Sequence, residues 1–495
     1  MLFNSPEFLF LFLPAACLIF YFARRISPTA QVISIIGLSL FFYGYWRIEY
    51  LPVLLFSLAT NGLFALLISR SRSDAMRKTW LVLGVVVALS VLGFYKYTHF
   101  LLENLSLLCG FEYTGQAGEI PIGLSFYTFT AIAFLTDIHT RRIQGFTWPE
   151  YGATITYFPH LVAGPILFHH DTIPQLREPG GIRFSPERVM LFLFFFSVGL
   201  LKKTGLADNI AHFSDPIFAQ VAGGGIPNAG QAWRAALCYS MQLYFDFSGY
   251  SDMAIGLGCL LGIRIPANFY SPYRAKNIAE FWQRWHISLG YFLRTYLYIP
   301  LGGNRKGVSR TLLNLFIVFF LCGLWHGAGW TFVVWGVVHG VGMVVQRLFS
   351  SRVKLPDTRL VTACSILITF IFAVFAWVIF RADTFHSASV ILQAMVGLSS
   401  SRLHNLPNTY VETYLGLLML VVWFMPNTLQ VMRRFEPAIL LGKRNEYPFA
   451  RLVPAALRNG NAFAYAVGAF SGLALVTGSV FMFVNGQVRY LYFDF

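Results

Sequence analysis

AEFWQRWHISLGYFLRTYLYIPLGGNRKG (residues 279–307), a further apolar run, and then LCGLWHGAGWTFVVWGVVHG (residues 321–340) decide how the chain is read. Each segment sets a histidine directly after a tryptophan, at Trp285–His286 and at Trp325–His326, in sequence otherwise apolar enough for a membrane interior. Glu280, Gln283, Arg284 and Arg294 add an unusual polar load around the first histidine. A charged side chain at mid-bilayer costs roughly 2.5–3.5 kcal/mol even on lenient insertion scales, so such groups face a bundle interior or a water-filled cavity. Function is expected here.

The composition around this stretch agrees. Of 495 residues, 56% are hydrophobic and 12% are charged, against roughly 25% charged in a soluble domain; the mean hydropathy is +0.59. The expected fold class is all-α, a polytopic integral membrane protein. The net charge of +15 is spread over short basic clusters between apolar segments, the pattern of loops held on one side of a membrane and not of a nucleic-acid-binding face. Cys17, Cys109, Cys238, Cys259, Cys322 and Cys364 form no CxxC pair and mostly lie in apolar runs, which reads as packing.

Upstream, residues 8–23 read as a retained first helix, because Arg24 and Arg25 follow the apolar run instead of preceding it. Those arginines predict a cytoplasmic helix end and an N-terminus outside. Segments near 31–46, 51–69 and 79–98 alternate Arg70, Arg72, Arg77 and Lys78 with Glu103, Glu112 and Glu119, as the positive-inside rule asks. A span at 121–138 ends before Arg141 and Arg142. YFPHLVAGPI (157–166), with two prolines and a glycine, predicts a broken or re-entrant piece, in which His160 either serves a site or, the favoured reading, is packed and hydrogen-bonded. His169, His170 and Asp171 resemble metal ligands only superficially: adjacent loop residues rarely converge on one ion, and no further ligand motif accompanies them.

Residues 189–201 are apolar and stop at Lys202–Lys203, and the polar, glycine-rich 205–230 reads as a loop. In 231–262, MQLYFDFSGYSDMAIGLG is interrupted by Asp246, Ser248, Tyr250 and Asp252. Asp246, Gly249, Tyr250 and Met253 share a helical face, with Asp252 well round the cylinder. Asp246 either meets substrate or pairs with an arginine such as Arg284 or Arg294. Asn277, three residues before Glu280, is an approximate capping box for an amphipathic helix on which His286 shares a face with Gln283 and Gly290. IPLGGNRKG (299–307), which contains Asn304, is a basic loop. Spans near 311–325, 328–348, 359–380, 410–425 and 462–484 follow. Arg381 and Asp383 mark a membrane boundary. Arg433, Arg434, Lys443, Arg444, Arg451 and Arg458 place the loop 426–461 inside, and the terminal YLYFDF outside. In all, about 11–13 membrane segments are expected, some re-entrant or broken, around a central polar cavity. They form one domain, with a catalytic core at about 121–349 and C-terminal helices at 350–495. No internal repeat of 20–50 residues is visible, which weakens a repeat-built transporter.

A histidine in a membrane cavity serves as general base, metal ligand, proton relay or packed core residue. Gly323, Gly327 and Gly329 surround His326, and small residues at that density let a ligand or a neighbouring backbone approach. HEXXH and His-rich patterns are absent, so no metal is expected. The candidate catalytic residues are His326 and His286. Candidates to line the cavity are Asp246, Ser248, Tyr250, Asp252, Trp282, Arg284, Trp285, Arg294, Asn304, Trp325 and Gly327.

FWQRWHISLGYFLRTYLYIPLGGNRKG, LWHGAGWTFVVWGVVHG and QLYFDFSGYSDMAIGLG resemble the core motifs of the membrane-bound O-acyltransferase superfamily. The chain is most similar there to the membrane subunits of bacterial alginate O-acetyltransferases and their polysaccharide- and peptidoglycan-acetylating relatives. The resemblance runs from FNSPEFLFLFLP through PIGLSFYTF, FPHLVAGP and FRADTF, and weakens after Val390. It implies catalysis by His326 of the WHG motif, a second site histidine at His286 of RWHIS, and acetyl-CoA as donor without a metal. It further implies a bacterial inner-membrane location, relay to a separate periplasmic acetyltransferase, and an exported or cell-wall polysaccharide as final acceptor. The chemistry is consistent: a hydroxyl attacking a thioester must lose its proton, which a positioned imidazole accelerates by roughly 10²–10⁴-fold. The oxyanion needs donors, for which Arg284, Arg294 or backbone N–H groups near the glycines qualify. D-alanyl transfer from a carrier protein to teichoic acid is the near alternative. A transporter without covalent chemistry is the third reading.

Overall fold

A computed structural model describes residues 1–116, 118–179, 181–399, 403, 410–441, 461–485 and 490–491, with the backbone alone for 461–466 and 483–485. Among them every regular element is a helix, and the single β-bridge joins Pro266 to Ile439. The all-α expectation therefore holds. Lys443, Arg444, Arg451 and Arg458, used above to place a loop, lie outside the described residues.

Eight helical stretches among the described residues are long and apolar enough to cross a bilayer: Phe8–Ile26, Pro28–Trp46, Ile48–Arg70, Asp74–Cys109, Pro186–Ala222, Val308–His326, Trp330–Arg352 and Arg359–Arg381. Leu18, Phe41, Leu360 and Ile368 are exposed on them. In water that surface would be a liability; in lipid it is the solvated face. The sequence-based count of 11–13 also included Leu124–His139, only 16 residues long, and Ala229–Leu260, which carries Arg234, Asp246 and Asp252. The shorter apolar helix Val411–Phe424 and the stretch Val467–Met482 complete the difference.

The chain divides into two compact units. The first comprises Met1–Phe196, Asp252–Ala267 and Phe435–Leu440. Ser27 breaks the first two helices apart: its hydroxyl accepts from the Ala30 N–H at 2.9 Å, with Pro28 at the opening of the second helix. Arg77 is buried and donates to the carbonyls of Ile68 (2.9 Å), Ile138 (2.6 Å) and His139 (3.0 Å), so three helix ends meet at one guanidinium. At other ends, Glu119 accepts from Arg47 (3.1 Å) and Tyr50 (2.9 Å). The break foreseen at 157–166 is present. Helix Trp148–Thr156 stops at Tyr157, and only the single turn Phe158–Leu161 follows. His160 is fully buried, with Nε2 against the Thr154 carbonyl at 2.9 Å. His170 points at two carboxylates: Nδ1 lies 2.7 Å from Asp137 and Nε2 3.4 Å from Asp171.

Helix Trp148–Thr156 opens on a complete capping box between Thr147 and Glu150. Arg177 adds a bidentate pair to the same carboxylate, at 2.6 and 2.9 Å. Burial pushes the Glu150 carboxyl up, but the hydrogen bonds from Arg177 and from the Thr147 amide outweigh it and hold the group below 4.5. A carboxylate depressed by folding contributes stability above its unfolded value and loses it as pH falls through the folded one. Glu150→Gln is accordingly expected to flatten the acid decline of the melting temperature below about pH 4.5. A detergent-solubilised acid series in which the variant falls as steeply as the wild type would refute this.

The second unit comprises Ser197–Ser251, Asn268–Arg434 and Leu441–Phe495. Here the expected loop at 205–230 is a helix as far as Ala222: a π-helical turn, Leu201–Ala207, runs into Asp208–Ala222. Its polar content hid a helical period, since Asp208, Ile210, Ser214, Ile217, Phe218 and Val221 are the residues it buries. Helices Val308–His326 and Trp330–Arg352 form a tight hairpin. A Cβ at Gly323 would stand 2.4 Å from the Phe332 carbonyl oxygen and 2.7 Å from the Gly336 Cα, so glycine permits the close crossing. Gly323→Ala forces backbone apart and is expected to cost about 1–3 kcal/mol, read as a lower melting temperature in detergent. An unchanged melt would show that the hairpin can spread freely.

Candidate active site

The helix pattern that runs through residues 278–298 in the sequence is broken in the structure. Ile278–Trp282 is one short helix and Ile287–Phe292 another. Asn277 caps the first, accepting from the Glu280 N–H at 2.9 Å, but the Glu280 carboxylate returns to the Lys276 N–H (2.7 Å) instead of closing the box on Asn277. Between the helices His286 takes a left-handed backbone, φ 45° and ψ 54°. It therefore does not share a helix face with Gln283 and Gly290. A non-glycine residue held there is strained, and such strain gathers where a site needs it.

Neighbouring chain enforces this conformation. The Ile287 N–H donates to the Asn268 carbonyl at 3.0 Å. The Asn268 side-chain oxygen accepts from the Ser288 hydroxyl (2.6 Å) and amide (3.2 Å). On the other flank the Tyr270 N–H donates to the Arg284 carbonyl at 3.0 Å. Arg284 itself is occupied by Glu280 at 2.5 Å and by the Tyr270 carbonyl at 3.3 Å. The result is a buried imidazole clamped from both sides in sequence.

His326 is the last residue of helix Val308–His326, mostly buried at 7% exposure. Its ring packs against Trp325 (4.7 Å between centroids), Trp335 (5.0 Å) and Phe380 (5.3 Å). Trp325 also contacts His286, at 6.5 Å, and Phe247 covers the other histidine at 4.8 Å. One tryptophan thus links the two candidate histidines. Gly327 and Gly329 are extended, and the next helix begins at Trp330. A helix C-terminus, which favours a cation, ends at the imidazole; a helix N-terminus, whose amides lack intrahelical acceptors, opens four residues later. A Cβ at Gly327 would meet the Phe332 ring at 2.2 Å. Phe332 packs on Phe380, which packs on His326. Gly327→Ala and Trp325→Ala are therefore expected to slow acyl transfer through misplaced rings while protein yield persists, measured as activity per milligram in membranes. Loss of the protein itself in both would instead make these positions purely folding determinants.

The other candidates scatter. Trp282 and Trp285 are buried in the same aromatic mass, Trp282 against Trp335 (5.8 Å) and Trp285 against Trp377 (4.9 Å). Ser248 and Tyr250 are buried, with Tyr250 against Tyr490 at 5.0 Å. Asp252 is buried in the first unit. Arg294 and Asn304 are exposed. Asp246 pairs with neither Arg284 nor Arg294; its Oδ1 accepts from Lys203 Nζ at 2.7 Å. Lys203 also holds Asp208 at 2.8 Å, so the buried lysine is a structural partner that the sequence reading took for a span end. His339, buried beside the same tryptophans, accepts a hydrogen bond from Trp282 at 3.2 Å and was likewise missed.

The chain is 36% identical to a peptidoglycan O-acetyltransferase of Helicobacter pylori, over 100% of this chain and 98% of that protein. It is 38% identical to a probable alginate O-acetylase AlgI of Pseudomonas aeruginosa over 82% of this chain and 77% of the relative. A teichoic acid D-alanyltransferase of Bacillus subtilis is 37% identical, over only 30% of this chain and 40% of its own length. The family description "MBOAT, membrane-bound O-acyltransferase family" fits residues 139–389, which contain both tryptophan-linked histidines. That match covers just over half of the chain, and with a relative aligned end to end at 36% identity it shows that this multi-pass membrane protein belongs to the membrane-bound O-acyltransferase family.

Proposed function

We propose that this acyltransferase takes an acetyl group from cytosolic acetyl-CoA and passes it across the bacterial inner membrane for O-acetylation of an exported or cell-wall polysaccharide, by relay to a periplasmic acetyltransferase. The observation that carries the reading is the end-to-end alignment with an O-acetyltransferase, set against partial matches to two teichoic acid D-alanyltransferases over 30% and 52% of the chain. Peptidoglycan and alginate, the acceptors in the relatives' names, are both glycans reached only from outside. The acetyl group must then cross about 30 Å of hydrocarbon, through a polar cavity meeting His326.

His326 is the general base in this reading. It removes the acceptor hydroxyl's proton as that oxygen attacks the thioester carbonyl; the C–S bond then breaks, and the CoA thiolate leaves as the thiol with the proton from the imidazolium, whose charge the C-terminal carbonyls of the helix favour. Of the oxyanion donors considered, Arg284 is engaged by Glu280 and Tyr270 and Arg294 is exposed. The first-turn amides of the helix beginning at Trp330 are the better placed donors. His286 shapes the site beside Trp325. The reading places the N-terminus outside and Arg24, Arg25, Arg70, Lys78 and Arg142 in the cytoplasm; Arg77, gathering the helix ends at Ile68 and Ile138–His139, supports a shared side for Arg70, Lys78 and Arg142.

The test supplies inverted membrane vesicles with acetyl-labelled acetyl-CoA or, separately, with an alanyl-charged carrier protein. Label from acetyl-CoA reaching a lumenal O-acetyl ester is the expected result. Labelling from the carrier alone would replace the proposal with D-alanyl transfer.

A further inference from the structure

His339 is fully buried on helix Trp330–Arg352, one turn beyond Trp335 on the same face. Trp282 donates its indole N–H to His339 Nδ1 at 3.2 Å. An indole nitrogen only donates, so Nδ1 is unprotonated and the ring is the neutral Nε2–H tautomer. Trp335 lies against His339 at 4.5 Å and against His326 at 5.0 Å, in both cases edge-on. Gly336 and Gly340, on the adjoining face, fit against Phe319, Gly323 and Phe316 of the preceding helix, which fixes the height of this helix relative to His326.

We propose that His339 is a positioning residue for acyl transfer. It anchors Trp282 through Nδ1 and backs the Trp335 ring, and Trp335 in turn holds the His326 imidazole in its reacting orientation. The inference rests on His326 acting as the base. It requires of residue 339 an acceptor at Nδ1 and a flat group behind Trp335, properties that a packed apolar side chain supplies only in part. A small rotation of a base away from its proton is costly to rate and nearly neutral to binding.

Two replacements separate acceptor from volume. His339→Phe keeps a ring and removes the acceptor; His339→Gln keeps an acceptor oxygen within reach of the indole N–H. The predicted result is a kcat reduced by roughly 10–100-fold in His339→Phe with KM for acetyl-CoA within about 3-fold, and most of that loss recovered in His339→Gln. The pair His326→Ala/His339→Phe should be no slower than His326→Ala alone, since a positioning residue has nothing left to position. If His339→Phe is not recovered folded, Trp282→Phe removes the donor instead and must give the same kcat loss. Wild-type kcat in His339→Phe or in Trp282→Phe, with His326→Ala inactive, overturns the positioning role and leaves the base assignment standing. An active His326→Ala overturns the base assignment first, whatever residue 339 does. Equal losses in Phe and Gln variants of unchanged melting temperature also refute the acceptor role.

Discussion

His326→Ala is expected to lower acyl transfer by roughly 10²–10⁴-fold, or about 3–5 kcal/mol of barrier, in protein that still inserts and folds, with a melting temperature lowered only by the space left behind. The side chain packs on rings, so its removal leaves a cavity among Trp325, Trp335 and Phe380, while the glycine-mediated crossing of the hairpin at Gly323 and Gly336 stays in place. His326→Gln keeps volume and polarity but cannot accept and release the proton, and should be nearly as inactive; a transporter would tolerate it. His286→Ala should lose less, because this histidine contacts the site through Trp325. The left-handed backbone there makes His286→Gly informative: it relieves strain yet removes the ring, so activity below that of the alanine variant would assign the strain itself to the site. A double variant no worse than His326→Ala would mark the two histidines as one unit. Near-normal turnover in well-expressed His326→Ala would remove the base assignment altogether.

The spans were legible because a bilayer demands about 20 apolar residues in one run, and that demand is written locally. The break near Pro159 and the cap at Asn277 were legible for the same reason, since each is a neighbour effect. The features that hold the site were not. Nothing between Trp282 and His286 announces a broken helix; the signal is Asn268, whose side chain and carbonyl hold Ile287 and Ser288 from outside. His339 reads as one more packed residue until Trp282, 57 positions earlier, is brought beside it. Lys203 follows an apolar run and so mimics the end of a span, because hydropathy has no knowledge of an aspartate 43 positions on. In each case the sequence holds one partner in view and the fold supplies the other.

Lys203 should be the most damaging single position for folding. Its ammonium is 1% exposed, 2.7 Å from Asp246 and 2.8 Å from Asp208, with the Tyr490 ring 4.7 Å away and the Leu491 amide on the second Asp246 oxygen at 3.1 Å. Lys203→Met fills similar space but leaves two buried carboxylates facing each other without a cation. Breaking a buried pair in this way typically costs about 3–5 kcal/mol, a large part of any protein's margin. Asp246→Asn should be far milder, about 1–2 kcal/mol, because Lys203 retains Asp208 and the amide oxygen can still receive Leu491. The double variant Lys203→Met/Asp246→Asn leaves only one unpaired carboxylate and is expected to recover part of the lysine loss. Thermal unfolding in detergent and the amount extracted from membranes read these differences. A Lys203→Met protein as stable as Asp246→Asn would refute the charge-pairing role, since water or a proton taken up by the carboxylates would then replace the missing ammonium.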